Sequence, residues 1–133
     1  MRSPAVVFVA AGFVFVTGDV LKICEDVKKA DDIVCEKIHH PTIANREKIF
    51  SDIKYYITTL PPLLEALKAD KDRTIEVCKD VLQLGTSHFM NIHYDYDHLM
   101  RGFNWTDDDM NMYRDLRDDT LTEWVKMEPF IFN

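Results

Sequence analysis

Ile75–Leu99 reads IEVCKDVLQLGTSHFMNIHYDYDHL, and its spacing decides the fold class. Apolar or small residues recur at Ile75, Cys78, Leu82, Gly85, Phe89, Ile92, Tyr96 and Leu99. The steps alternate three and four, which is one face of an α-helix sustained over more than three heptads. Lys79, Asp80, Asn91, Asp95 and Asp97 fall off this seam, toward water. Such a stretch must bury one face against other helices. Leu84-Gly85-Thr86-Ser87 can end one helix and start another, with Gly85 as the left-handed residue after the end and Ser87 as the next N-cap. The heptad phase nevertheless passes through Gly85 undisturbed. A helix running from Pro62 through Leu99 would be out of scale for so small a domain, so a kink or corner near Gly85 is expected.

The flanks repeat the helical pattern. Asp19–His40 carries an apolar stripe of Val20, Ile23, Val27, Ala30, Val34 and Ile38. Glu25, Asp26, Lys28, Lys29, Asp31, Asp32 and Lys37 form its wet face. Pro41 stops it, because proline disfavours α geometry in the residue before it. Thr42 or Asn45 caps a second helix to about Leu60, with Ile43, Ile49, Phe50, Ile53, Tyr56 or Ile57, and Leu60 inward. Pro61-Pro62 is expected to turn the chain, and Pro62 suits the first turn of a third helix. The charged Asp70-Lys71-Asp72 is either a loop or a wet turn of that helix. Gly102 is a terminator after Leu99 and Met100. Thr106 then caps a last helix whose first turn holds Asp107, Asp108 and Asp109 on the positive end of the dipole. Met110, Tyr113, Leu116, Leu121, Trp124 and Met127 form its buried face, and Pro129 ends it. The expected fold is all-α: a compact bundle of four to five amphipathic helices, mostly antiparallel.

The first eighteen residues read as a secretory signal peptide. Arg2 is a positive n-region, Ala5–Val16 is an apolar run, and Thr17-Gly18 supplies small residues for cleavage. Residues 1–18 are then leader and 19–133 a single domain beginning at Asp19, large enough for a real core. The run is too short for a membrane anchor. The remaining chain has 15 Lys and Arg against 23 Asp and Glu, a net charge of −8. With no basic run or aromatic-basic patch, nucleic acid and anionic membranes are disfavoured. A partner with a basic surface is favoured. The expected location is extracellular.

Export makes a disulfide expected, and three cysteines leave one over. Cys24 and Cys35 lie about 16 Å apart on one helix at ~1.5 Å per residue. Cys35 is sixteen residues from Asp19, and Cys78 sixteen from Pro62. If the third helix rises from Pro62, those two reach the same height. That path predicts Cys35–Cys78, with Cys24 free or linking two chains. A reversal at Asp70–Asp72 would favour Cys24 instead.

Candidate chemistry is sparse. His93 and Asp97 are four apart and can share a helical face, so they are weak candidates for a metal, with His39 or His40 as a third ligand. Tyr94, Asp97 and Arg101 equally make an ordinary solvated face, and no cofactor is expected. No nucleophile elbow, P-loop or dinucleotide fingerprint occurs, and Ser87-His88 is merely an adjacent pair. A metal-dependent enzyme is the least favoured class. Phe89, Ile92, Tyr96, Met110, Tyr113 and Trp124 could line a cavity for a small apolar ligand, or simply fill a core. Asn104-Trp105-Thr106 is a glycosylation sequon.

In size, export, helicity and acidity the chain resembles short-chain helical cytokines and the small helical inhibitors secreted in saliva or venom or by parasites. What the residues favour is likewise binding to another macromolecule. Acidic faces at Glu25–Asp32 and Asp107–Asp119 can steer toward a basic partner. Phe130, Ile131 and Phe132 offer anchors beyond Pro129, unless they fold back onto the core.

Overall fold

The computed structural model describes residues 17–92 and 95–132. Among them the regular structure is entirely helical. Six α-helices occur: α1 (Thr17–His39), α2 (Lys48–Ala69), α3 (Lys71–Val77), α4 (Lys79–Leu82), α5 (Tyr96–Phe103) and α6 (Asp107–Ile131). Two 3₁₀ turns, Ile43–Asn45 and Phe89–Asn91, lie in the connections. The apolar run Ala5–Val16, expected to be a leader, lies outside the described residues.

α1 follows its stripe closely: Val20, Val27, Ala30, Val34 and Ile38 are buried. It packs on α2, which also packs on α6. Ile23 and Asp26 share a groove with Tyr55, Thr58 and Pro62, while Lys37 near the other end of α1 pairs with Asp52 at 2.7 Å. α1 and α2 therefore run antiparallel. α6 runs the same way as α2. Phe50 stacks on Trp105, and Arg46 meets Asp109 near the start of α6, whereas Tyr56 meets Trp124 further along. The sequence predicts a mostly antiparallel bundle, but this pair is parallel, because the chain crosses back between Ala69 and Thr106.

α2 starts later and ends later than expected. The 3₁₀ turn takes up Ile43–Asn45, Thr42 makes no side-chain cap, and Ile43 is exposed. Pro61 and Pro62 do not turn the chain; α2 continues through both. Proline removes an amide donor and crowds the preceding turn. Both prolines face solvent, so water can satisfy the freed carbonyls. Leu60, Leu63, Ala66 and Leu67 meanwhile continue the buried stripe of Ile49, Ile53 and Tyr56.

The reversal comes at Asp70. Its backbone leaves the helical region (φ −155°, ψ 87°), and its carboxylate accepts the Arg73 amide as the N-cap of α3. Thr74, fully buried, donates its hydroxyl back to the Ala66 carbonyl at 2.9 Å. Cys78 is thereby carried to Cys24, and these two form the disulfide, with Cα atoms 5.3 Å apart. The expected Cys35–Cys78 bridge is thus corrected: Cys35 is the free thiol. The error was the helix path, since no third helix rises from Pro62.

Ile75–Leu99 is not one helix. It breaks at Cys78, at Gly85 (φ +70°), and at Ile92, whose backbone is extended. Asp95 then caps α5 by accepting the His98 amide at 2.8 Å. Cys78, Leu82, Phe89 and Leu99 of the seam are still buried, and Ile75, Ile92 and Tyr96 pack partly against the core. Gly102 lies inside α5 instead of ending it. A Cβ there would collide with the Pro41 ring. Asn104, in the left-handed region at φ 56°, ends α5.

α6 begins as expected. Thr106 and Asp109 exchange side-chain-to-backbone bonds in a capping box. It runs past Pro129 to Ile131, and Leu121 points to solvent instead of inward.

Candidate functional site

The segment between α4 and α5 is held by buried polar contacts. Asp31, expected on the wet face of α1, is buried. Its carboxylate accepts the backbone amides of His88 at 2.7 Å and Phe89 at 3.1 Å, and the Cys35 thiol at 3.6 Å. These are the otherwise unpaired donors at the start of the 3₁₀ turn. Burial pushes the Asp31 carboxyl above its ordinary value, although both amides pull it down. Burial, and then the nearby Asp31, push the Cys35 thiol up to about 12. One residue earlier, Ser87 donates to the Tyr56 hydroxyl at 2.7 Å. Trp124 Nε1 donates to both oxygens at 3.0 Å. This closed network ties α2, the connecting segment and α6 together. Each of its polar groups has a partner, so it fixes the three elements relative to one another.

Anchored in this way, Phe89 becomes one wall of a partly open hollow of about 230 Å³ between the end of α1, the second 3₁₀ turn, α5 and α6. Ile38, Met90, Ile92, Tyr96, Leu99 and Tyr113 line it as well, and more of its accessible lining is polar than apolar. Arg117 also lines it, and its Nη1 donates to the Tyr96 hydroxyl at 3.1 Å. Arg114 sits over the Tyr96 ring, 4.7 Å from the centroid. Burial lifts the Tyr113 phenol to about 12, against the opposing pull of Arg117. Four of the six residues expected at an apolar cavity therefore meet: Phe89, Ile92, Tyr96 and Tyr113. Met110 and Trp124 are buried elsewhere in the core, Trp124 in the polar network.

The second feature is the outer face of α6. Leu121 (47% exposed), Val125 (51%), the exposed Pro129 and Phe132 (65%) follow one another at steps of four, four and three. At 3.6 residues per turn these positions form one stripe. The expected tail divides: Phe130 and Ile131 pack against the core, and Phe132 stays exposed. The Phe132 ring covers Gly85, in the space a Cβ would occupy, beside the exposed Leu84. Acidic Asp118 and Glu128 are exposed on the same helix. Asp107 and Asp108 are exposed in its first turn, while Asp109 is engaged in the capping box and with Arg46 at 3.8 Å.

His93 lies outside the described residues, so its pairing with Asp97 does too; Asp97 itself is exposed. Among the described residues no group of three His, Cys, Asp or Glu is placed to hold a metal ion. No described helix is long and apolar enough to cross a membrane. Asn104 is exposed at the α5–α6 corner, between the core residues Phe103 and Trp105.

Sequence reasoning missed Asp31, Arg117, Leu84 and Val125. Asp31 looks like one of seven charges on a wet face. Val125 and Leu84 look like ordinary members of apolar runs. No family model, no curated protein and no solved structure matches this chain.

Proposed function

We propose that this chain is an exported, acidic helical-bundle protein that acts by binding another macromolecule, a protein with a basic face. The observation that carries the reading is the unburied apolar stripe of Leu121, Val125 and Pro129 on α6, continued by its C-cap residue Phe132. Clustered exposed apolar residues of this kind mark interaction surfaces more often than scattered ones do. Aromatic anchors such as Phe132 carry a large share of interface energy. The acids of α6 would steer a basic partner and fix its orientation. Export rests on Arg2, the Ala5–Val16 run and Gly18, and is supported by a disulfide, which persists in oxidising compartments.

Two measurements test this. N-terminal sequencing of secreted material is expected to begin at Asp19; a mature chain retaining Met1 would refute export. Immobilised mature protein, exposed to fluid from the site of secretion, is expected to retain a defined protein identifiable by mass spectrometry. Val125→Glu and Phe132→Asp should abolish that capture, and Leu21→Glu, on an exposed position of α1, should not. Equal capture by all three variants would refute the α6 surface.

A further inference from the structure

We propose that the hollow bounded by α1, the second 3₁₀ turn, α5 and α6 is a binding site for a small aromatic carboxylate. The site is separate from the α6 stripe, so loss of partner binding would leave it standing.

Size sets the first limit. An apolar cavity of ~150 Å³ holds benzene, or about 25 Å³ per heavy atom. The hollow of about 230 Å³ then takes about nine heavy atoms by the same ratio. That is one ring with a short arm; a sterol or a long-chain fatty acid is too large. The walls suit a ring, since Phe89, Tyr96 and Tyr113 offer aromatic faces and edges. Ile38, Met90, Ile92 and Leu99 add apolar contacts, while most of the accessible lining is polar, which suits an acid better than a hydrocarbon.

Charge sets the second limit. Arg117 is the sole charged one among the described residues that line the hollow. Among the described residues it has no carboxylate within ion-pair distance; the contact found is with the neutral Tyr96 hydroxyl. A guanidinium fork accepts a carboxylate through two parallel hydrogen bonds. Arg114, over the Tyr96 ring, adds a second positive charge nearby. The chain as a whole is acidic and repels anions at long range. Selection of an acid therefore rests on these short contacts. A neutral aromatic would fill the same walls and leave Arg117 without an anionic partner.

The test uses the mature chain and ligand-observed ¹⁹F NMR with 4-fluorobenzoate and its neutral counterpart, 4-fluorotoluene. The acid is expected to bind more tightly than the neutral compound. Arg117→Gln should weaken 4-fluorobenzoate by about tenfold or more, the scale of a charge-assisted hydrogen bond, and leave 4-fluorotoluene nearly unchanged. Ile92→Trp, which fills the hollow, should remove both; near-UV circular dichroism checks that it folds. If it does not, Arg117→Gln decides alone. Failure of 4-fluorobenzoate to bind, tighter binding of 4-fluorotoluene, or equal acid binding by Arg117→Gln would each overturn the proposal.

Discussion

α2 and the segment from Asp70 to Phe103 both bury apolar residues against the same core, but they are held by different means. α2 is continuous for 22 residues, and each turn supports the next even across Pro61 and Pro62. The later segment is longer, and no helix among its described residues exceeds eight residues. It is fastened at separate points: Cys78 to Cys24, the His88 and Phe89 amides to Asp31, and Ser87 to Tyr56 and Trp124. A continuous helix loses a local interaction and keeps its neighbours. A segment fastened at points loses order around each point removed. The hollow is walled partly by this segment, through Phe89 and Ile92, so its shape depends on those fastenings.

The sharpest way to break the contrast is to remove the covalent fastening. Cys24 and Cys78 are 54 residues apart in sequence. By chain-entropy reasoning a bridge of that span contributes about 4 kcal/mol, through restriction of the unfolded chain. Cys24→Ala with Cys78→Ala is expected to lower denaturant stability by about that amount. Cys35→Ala should cost far less. Non-reducing peptide mapping should return a Cys24–Cys78 peptide. A Cys35–Cys78 peptide would mean that Asp70 does not reverse the chain.

Next in size is Asp31→Ala, which leaves one part-buried amide, of His88, and one buried amide, of Phe89, without an acceptor. At ~1–3 kcal/mol for each orphaned donor, a loss of about 3 kcal/mol is expected from denaturant titration. Amide exchange should rise most at His88 and Phe89. A loss no larger than that of an exposed substitution would show that the segment is held without Asp31.

Gly85→Ala tests a smaller point. Gly85 sits at φ +70° under the Phe132 ring. The new Cβ meets both the left-handed backbone cost and the ring, for a loss of about 1–2 kcal/mol. Phe132→Ala should relieve the collision and recover part of the loss in a double-mutant cycle. Additive effects would show that the ring does not rest on Gly85.

The same contrast explains what could be read from sequence. The stripes of α1 and α6 and the Thr106 cap were legible because they are local. The seam from Ile75 to Leu99 reported burial correctly at Cys78, Leu82, Phe89 and Leu99, but periodicity carries no information about continuity. Continuity was decided by residues far away: Cys24 and Asp31 on α1 hold Cys78, His88 and Phe89 in place. The same limit hid half of the hollow. Phe89, Ile92, Tyr96 and Tyr113 were visible as apolar residues, whereas Arg117 joins them only when α6 packs beside α5. Pro61 and Pro62 misled in the opposite direction, because a strong local breaker yields to burial on both sides of it.

The smallest effect is a dependence on pH, and its sign separates two accounts of Asp31. Burial holds the Asp31 carboxyl above its ordinary value of 3.8 despite two amide donors. Between 3.8 and the folded-state value, the folded protein thus binds more protons at this site than the unfolded chain does. Stability contributed by the site is then fully present below pH 3.8 and declines as pH rises through the folded-state value. Other carboxylates impose their own slopes, so Asp31→Asn serves as the reference. The stability difference, wild type minus Asp31→Asn, is expected to be level below about pH 3.8, to fall above it, and to level off once Asp31 is ionised in the folded protein. Paired denaturant titrations across about pH 3–7 measure it. A difference that rises with pH would mean that the His88 and Phe89 amides outweigh burial. Asp31 would then hold the connecting segment more strongly as an anion than as an acid.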